Sequence, residues 1–300
     1  MDATPIPPRP RYWLHALLFV TTCATTTYAG GVVFAVTLMA ILVTHEMGHY
    51  VAARRHGIDV SLPYFIPFPF ALGTLGALIR MRAPIRRRDA LIDVGAAGPL
   101  AGLALAIPFL VVGLHGSPVN SPPAGEVSFV EGNSILYILL KLAVTGRYLP
   151  SHGQDVFLSP MAMAAWMGIL LTFINLMPIG QLDGGHVAYA YFGAQHERRS
   201  RWLHRGLLAC GAVVAGQLAL EASVVGFPRG AALTYGLEGA LPWFVWALLI
   251  LGMRRITGGK YHPPTDSVPL SPSRRALFWV VAVVFVLIFT PVPMRMALSP

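Results

Sequence analysis

Apolar runs close to membrane-crossing length recur six times along the chain, at 13–27, 32–43, 100–114, 161–177, 206–225 and 276–290. Each is near the ~20 residues that cross a hydrocarbon core of ~30 Å as helix. With 12% charged residues and a mean hydropathy of +0.62, the chain falls well short of the quarter of charged side chains that soluble domains carry. The pattern predicts an all-α polytopic membrane protein of one domain. The two cysteines, Cys23 and Cys210, both fall inside apolar spans, which excludes a disulfide framework.

The formal charge is +9, yet the basic residues form clusters between apolar runs rather than one continuous face, so nucleic acid is not an expected partner. Arg9 and Arg11; Arg54 and Arg55; Arg80, Arg82, Arg86, Arg87 and Arg88; Arg198, Arg199, Arg201 and Arg205; and Arg254, Arg255, Lys260, Arg274 and Arg275 hold eighteen of the 22. Short cytoplasmic loops collect Lys and Arg. Placing all five clusters inside gives about seven spans, near 13–29, 32–53, 91–114, 160–178, 206–226, 239–253 and 276–292, with a cytoplasmic N-terminus. The sixth is short and contains Pro242, which leaves a six-span path open. Pro5, Pro7, Pro8 and Pro10 precede the first span with no small-residue cleavage site after it, so it reads as an uncleaved anchor. Arg far outnumbers Lys, which points to a GC-rich genome and so to a bacterial cytoplasmic membrane over a plastid one.

Two segments do not fit a span. Residues 60–83, bounded by Pro63, Pro67, Pro69 and Pro84, read as a small β element. Residues 134–145 are apolar but too short to cross and are interrupted by Lys141, which predicts an interfacial or re-entrant helix. The outer segment 115–159, which also carries Glu126 and Glu131, is too short for a separate domain.

Ionisable residues inside a span are costly and mark functional sites. The second span carries His45-Glu46-Met47-Gly48-His49, two imidazoles at i and i+4 on one helical face with a carboxylate beside them, as a zinc site requires. A third ligand is needed. The pattern that supplies a third His would put Gly at 52 and His at 55, where Ala52 and Arg55 stand, and His56 is about 100° off the face. No Glu lies between Tyr50 and Gly125. That leaves a carboxylate from a distant span, and Asp183 is the acidic residue in Asn175-Leu-Met-Pro178-Ile-Gly-Gln-Leu182-Asp183-Gly184-Gly185-His186. Pro178 and Gly180 break the helix there, and irregular backbone at membrane depth belongs where it lines a cavity.

The pair His45-Glu46-x-x-His49 and Asn175-x-x-Pro178-x-x-x-Leu182-Asp183-Gly184 resembles the site-2 protease family of intramembrane zinc metalloproteases. Pro63-Tyr64-Phe65-Ile66-Pro67-Phe68, Gly73-Thr74-Leu75-Gly76-Ala77, Gly98-Pro99-Leu100-Ala101-Gly102, His262-Pro-Pro and Phe289-Thr-Pro-Val-Pro293 are similar to its bacterial and plastid branch without a PDZ domain. The resemblance implies hydrolysis of a peptide bond in or near a transmembrane helix of a single-span substrate in the bilayer, with one zinc per chain held by His45, His49 and Asp183. It implies Glu46 as general base and acid, and Asn175 as an oxyanion donor, with interhelical packing as the other role for Asn175. It also implies a β element near 60–83 that dips into the membrane and pairs with unwound substrate, or else only plugs the mouth. Gly98 and Gly102 are expected to serve helix packing, and His186 to be bland. Two other functions are a catalytically silent zinc-binding scaffold or chaperone of the same family and a metal transporter; the latter lacks the repeated halves of that class. No residue fixes the oligomeric state.

Overall fold

The computed structural model describes residues 11–70, 72–82, 84–121, 129–151, 153–256 and 258–296. Arg9, Glu126 and the N-terminal prolines named above lie outside them. The chain is a mostly helical multi-pass membrane protein with small two-stranded hairpins.

The first two apolar runs form a single 44-residue element, α1 (Tyr12–Arg55), broken at Gly31 where φ is 81° and ψ 175°. A straight helix of that length would measure about 66 Å, twice a hydrocarbon core; the break divides it into two arms. A Cβ on the preceding Gly30 would lie 2.3 Å from the Phe34 ring, so the corner needs a glycine there as well. Threonines along the first arm turn their hydroxyls back on the helix, as Thr22 does to Leu18 O at 2.7 Å and Thr26 to Thr22 O at 2.7 Å, which satisfies them without water.

After α1 come β1 (Tyr64–Pro67) and β2 (Thr74–Leu78), antiparallel with Tyr64 opposite Leu78 and Phe65 opposite Ala77. The hairpin lies on the first arm of α1. His15 Nδ1 donates to Pro63 O at 3.0 Å, and Thr25 Oγ1 donates to Gly73 O at 2.6 Å.

The remaining elements are α2 (Arg88–His115), β3 (Val119–Asn120), β4 (Phe129–Glu131), α3 (Ile135–Thr145), β5 (Asp155–Val156), α4 (Pro160–Asn175), α5 (Asp183–Phe192), α6 (Gln195–Val224), α7 (Arg229–Ile256), α8 (Pro272–Ile288) and β6 (Met294–Met296). Ser134, Ser159 and Ser271 cap α3, α4 and α8 by accepting from the backbone N–H of Tyr137, Ala162 and Arg274, and Pro160 and Pro272 occupy first-turn positions that need no donor. α1, α2, α6 and α7 are long and apolar enough to cross a membrane; α3 and α4 are shorter apolar helices.

Small residues let the central helices approach closely. A Cβ on Gly48 would meet Ala97 O at 2.5 Å, one on Gly168 would meet the Ile41 side chain at 2.9 Å, and one on Gly113 would meet Ala162 N at 2.4 Å. These contacts bind α1, α2 and α4 into one core, and α6 and α7 pair beside it through Gly236 against Ala215 O.

Several details differ from the sequence expectation. α7 begins at Arg229 and carries Pro242 inside it, so the short stretch 239–253 is the later part of a 28-residue helix. The arginines at 198–205 belong to the first turns of α6 rather than to a loop. Two further pairings join remote segments: β3 with β5, and β4 with β6. Lys141 breaks the apolar pattern of α3 because it points inward, fully buried and paired with Asp155 at 2.9 Å.

Candidate metal centre

His45 and His49 lie one turn apart on the second arm of α1, so their rings share a face. α4 ends at Asn175, the chain runs without helix through 176–182, and α5 restarts at Asp183. The turn closes tightly: a Cβ on Gly184 would fall 2.0 Å from Leu176 O and one on Gly185 2.4 Å from Gly180 O, so only glycines permit it. Asp183 therefore stands at a helix N-terminus, where a carboxylate is favoured.

Asp183 Oδ2 is 3.3 Å from His45 Nε2 and 3.2 Å from His49 Nε2, and the two Nε2 atoms are 3.1 Å apart. Ligands at about 2.05 Å from a tetrahedral zinc are separated by about 3.3 Å. The triangle thus has the size and the donor chemistry of three zinc ligands, and it is the metal-sized group of His, Cys, Asp and Glu found among the described residues. His49 Nδ1 donates to Val94 O at 2.8 Å, which leaves its Nε2 lone pair for a metal.

Glu46 is 5% exposed and borders the same cavity, of about 200 Å³, together with Asn175, Gln181, His186 and residues 77–79 of the β2 strand and its extension. Asn175 Nδ2 lies 3.4 Å from His45 Nε2, beside the triangle. The five residues singled out in the sequence, His45, Glu46, His49, Asn175 and Asp183, are brought together around one cavity.

Three features escaped sequence reasoning. A Cβ on Gly98 would lie 2.1 Å from His49 Nε2, and one on Gly102 3.1 Å from His45 Cβ, so these glycines hold open the space of the imidazoles rather than serving only helix contact. The signal was present: glycines at i and i+4 on α2 face histidines at i and i+4 on α1, in opposite order. Next, His186 donates or accepts at 2.7 Å with His262, a residue from the loop between α7 and α8. Last, His56, which is off the ligand face, pairs with Asp93 at 2.8 Å, and Asp93 is held by Arg274 Nη2 at 2.7 Å.

Comparison with known proteins follows the same lines. The model of peptidase family M50 matches residues 33–216. The chain is 36% identical over 189 residues to a protein named probable zinc metalloprotease EGY2, chloroplastic, of Oryza sativa subsp. indica, covering 61% of this chain and 33% of that one. It is 35% identical over 161 residues to the probable zinc metalloprotease EGY1, chloroplastic, of Arabidopsis thaliana, covering 52% and 29%. With the probable zinc metalloprotease EGY3, chloroplastic, of Oryza sativa subsp. indica, identity is 29% over 271 residues, 84% of this chain and 41% of the relative. The chain spans about a third of the length of the first of these relatives. The matched segment contains the whole ligand triangle and Glu46 and covers more than half of the sequence: the chain belongs to peptidase family M50.

Proposed function

We propose that this protein is a zinc metalloprotease that hydrolyses a peptide bond within or next to the transmembrane segment of a single-span membrane protein. The observation that carries the reading is the ligand triangle with Glu46 beside it, buried among helices of membrane-crossing length. His45, His49 and Asp183 would hold one zinc per chain. When bound, the ion supplies Lewis acidity and lowers the pKa of a water in the site. Glu46 takes the proton of that water and passes it to the leaving amine. Asn175, whose amide nitrogen sits beside the triangle, donates a hydrogen bond to the oxygen that gains charge.

A helical substrate must be unwound before cleavage, and its freed backbone groups then need partners. The extension of β2 offers them. Arg80 O accepts from Ser61 N and Arg82 N donates to Asp59 O, so alternate residues Ile79 and Met81 direct their main-chain groups to the opposite edge, on the side of the cavity and Glu46. Both residues line the cavity. An extended substrate added along this edge would run beside Glu46.

In this reading the two arms of α1 with α2, α4, α6, α7 and α8 make seven crossings. The arginine clusters and the N-terminus lie on the cytoplasmic side of a cell membrane, the hairpin dips into the bilayer, and α3 lies at the outer interface. The test is cleavage of a single-span model substrate by the full chain in zinc-loaded liposomes, with product masses locating the cut. Cleavage within the span by wild type and none by Glu46→Gln, with zinc content unchanged, is the expected result. Equal products from both proteins, or no cleavage by zinc-loaded wild type, would overturn it; the latter with zinc retained is the outcome for a silent scaffold.

A further inference from the structure

His186 lies one turn beyond Asp183 and borders two spaces at once: the cavity of the metal centre and a larger groove of about 1430 Å³ that continues from it past Ile79, Met81 and Gln181. Its hydrogen bonds fix which nitrogen carries its proton. His262 Nδ1 is 2.6 Å from Pro263 O, and a carbonyl only accepts, so Nδ1 of His262 bears the hydrogen. His262 is 5% exposed and stacked on Tyr189 with centroids 4.1 Å apart; burial pushes its imidazole down to about 3, so the ring is neutral at ordinary pH. Its Nε2 is then an acceptor. His186 Nδ1, 2.7 Å away, must donate to it, and the neutral His186 keeps a bare Nε2 lone pair.

The loop that supplies His262 is itself anchored. Tyr261 N donates to Glu197 Oε2 at 2.9 Å, and Asp266 N donates to Arg86 O at 2.7 Å. The orientation of His186 is thus set by a residue 76 positions away in the chain.

An extended chain has hydrogen-bonding groups along both edges. If the cavity-side edge at Ile79 and Met81 takes one edge of an unwound substrate, the N–H groups of the other edge face the site and are costly to leave unpaired. His186, on a different element lining the same cavity, carries an Nε2 acceptor with no hydrogen-bond partner among the described residues. We propose that His186 is a substrate-binding residue whose Nε2 accepts a backbone N–H of the unwound polypeptide where it passes from groove to cavity, and that His262 is the positioning residue that fixes its tautomer. This rests on the protease reading above.

The experiment is an amide-to-ester scan of a single-span model substrate around the scissile bond, cleaved by the zinc-loaded full chain in liposomes. One ester position should raise KM about tenfold with wild type, the loss of one hydrogen bond of ordinary strength, and have no effect with His186→Phe. His262→Phe should raise KM by a similar factor with zinc content and kcat held. His262→Gln, whose amide oxygen still accepts from His186, should stay within about threefold of wild type. In ¹⁵N-histidine spectra, His186 should carry its hydrogen on Nδ1 in wild type and His262→Gln, and lose that preference in His262→Phe. Cleavage by wild type with no ester position that depends on His186 overturns this inference alone. Equal losses in His262→Phe and His262→Gln, or a fall in zinc content with activity, reduce the pair to a structural tie and also overturn it. Absence of cleavage by zinc-loaded wild type overturns the protease reading and this inference with it.

Discussion

At Gly98 and His49 two residues compete for one volume: a methyl group on Gly98 would sit 2.1 Å from the nitrogen offered to the metal. Gly98→Ala should therefore displace the ring and cut bound zinc at least tenfold while helix content is kept. Gly206→Ala, at a helical glycine with none of the described residues within 4 Å of an added Cβ, should leave zinc content unchanged and is the control. Metal analysis with circular dichroism checks both, and full zinc in Gly98→Ala would mean the ring has room elsewhere. That His45, His49 and Asp183 come together as a candidate metal group was legible because a motif of i and i+4 histidines states its geometry in one dimension, and because Asp183 is the acid in a broken helix. The role of Gly98 was not legible, since a glycine in an apolar helix reads equally as a packing contact. His262 was beyond reach for another reason: its partner His186 is set by tertiary folding of a loop with no periodic pattern.

Among elements, the corner at Gly31 has the clearest consequence. A φ of 81° with ψ 175° is backbone that essentially only glycine adopts, and an L side chain there costs about 1 to 3 kcal/mol. Gly31→Ala should lower the apparent melting temperature in detergent by several degrees, whereas no change would mean the two arms are not held at that angle. Helix positions were readable because runs of apolar residues dominate them, and so was the β element after α1, bounded by prolines. The start of α7 was not. Residues 229–238 include Arg229, Thr234 and Glu238, which dilute the apolar signal although the backbone continues as helix. The strands β3 to β6 have two or three residues each, too few for any alternation to show.

Across the whole molecule, three distant helix ends meet on the arginine-rich side: His56 after α1, Asp93 of α2 and Arg274 of α8. Arg274→Gln should destabilise the protein by about 1 to 2 kcal/mol, because partly buried Asp93 loses its charged donor. Thermal unfolding of the variant beside wild type checks this, and an unchanged transition would mean that the tie is screened by water. The charge clusters were visible in the sequence, but their pairing across helices was not.

The central claim is that one zinc sits between His45, His49 and Asp183. Zinc analysis with X-ray absorption at the zinc edge, on purified full chain, tests it most directly. One zinc per chain, with a nitrogen and oxygen shell containing two imidazoles and no sulfur, is the predicted result, and Asp183→Ala should lose the metal while remaining folded. Folded wild type that binds no zinc, or zinc that is retained unchanged in Asp183→Ala, would contradict the account.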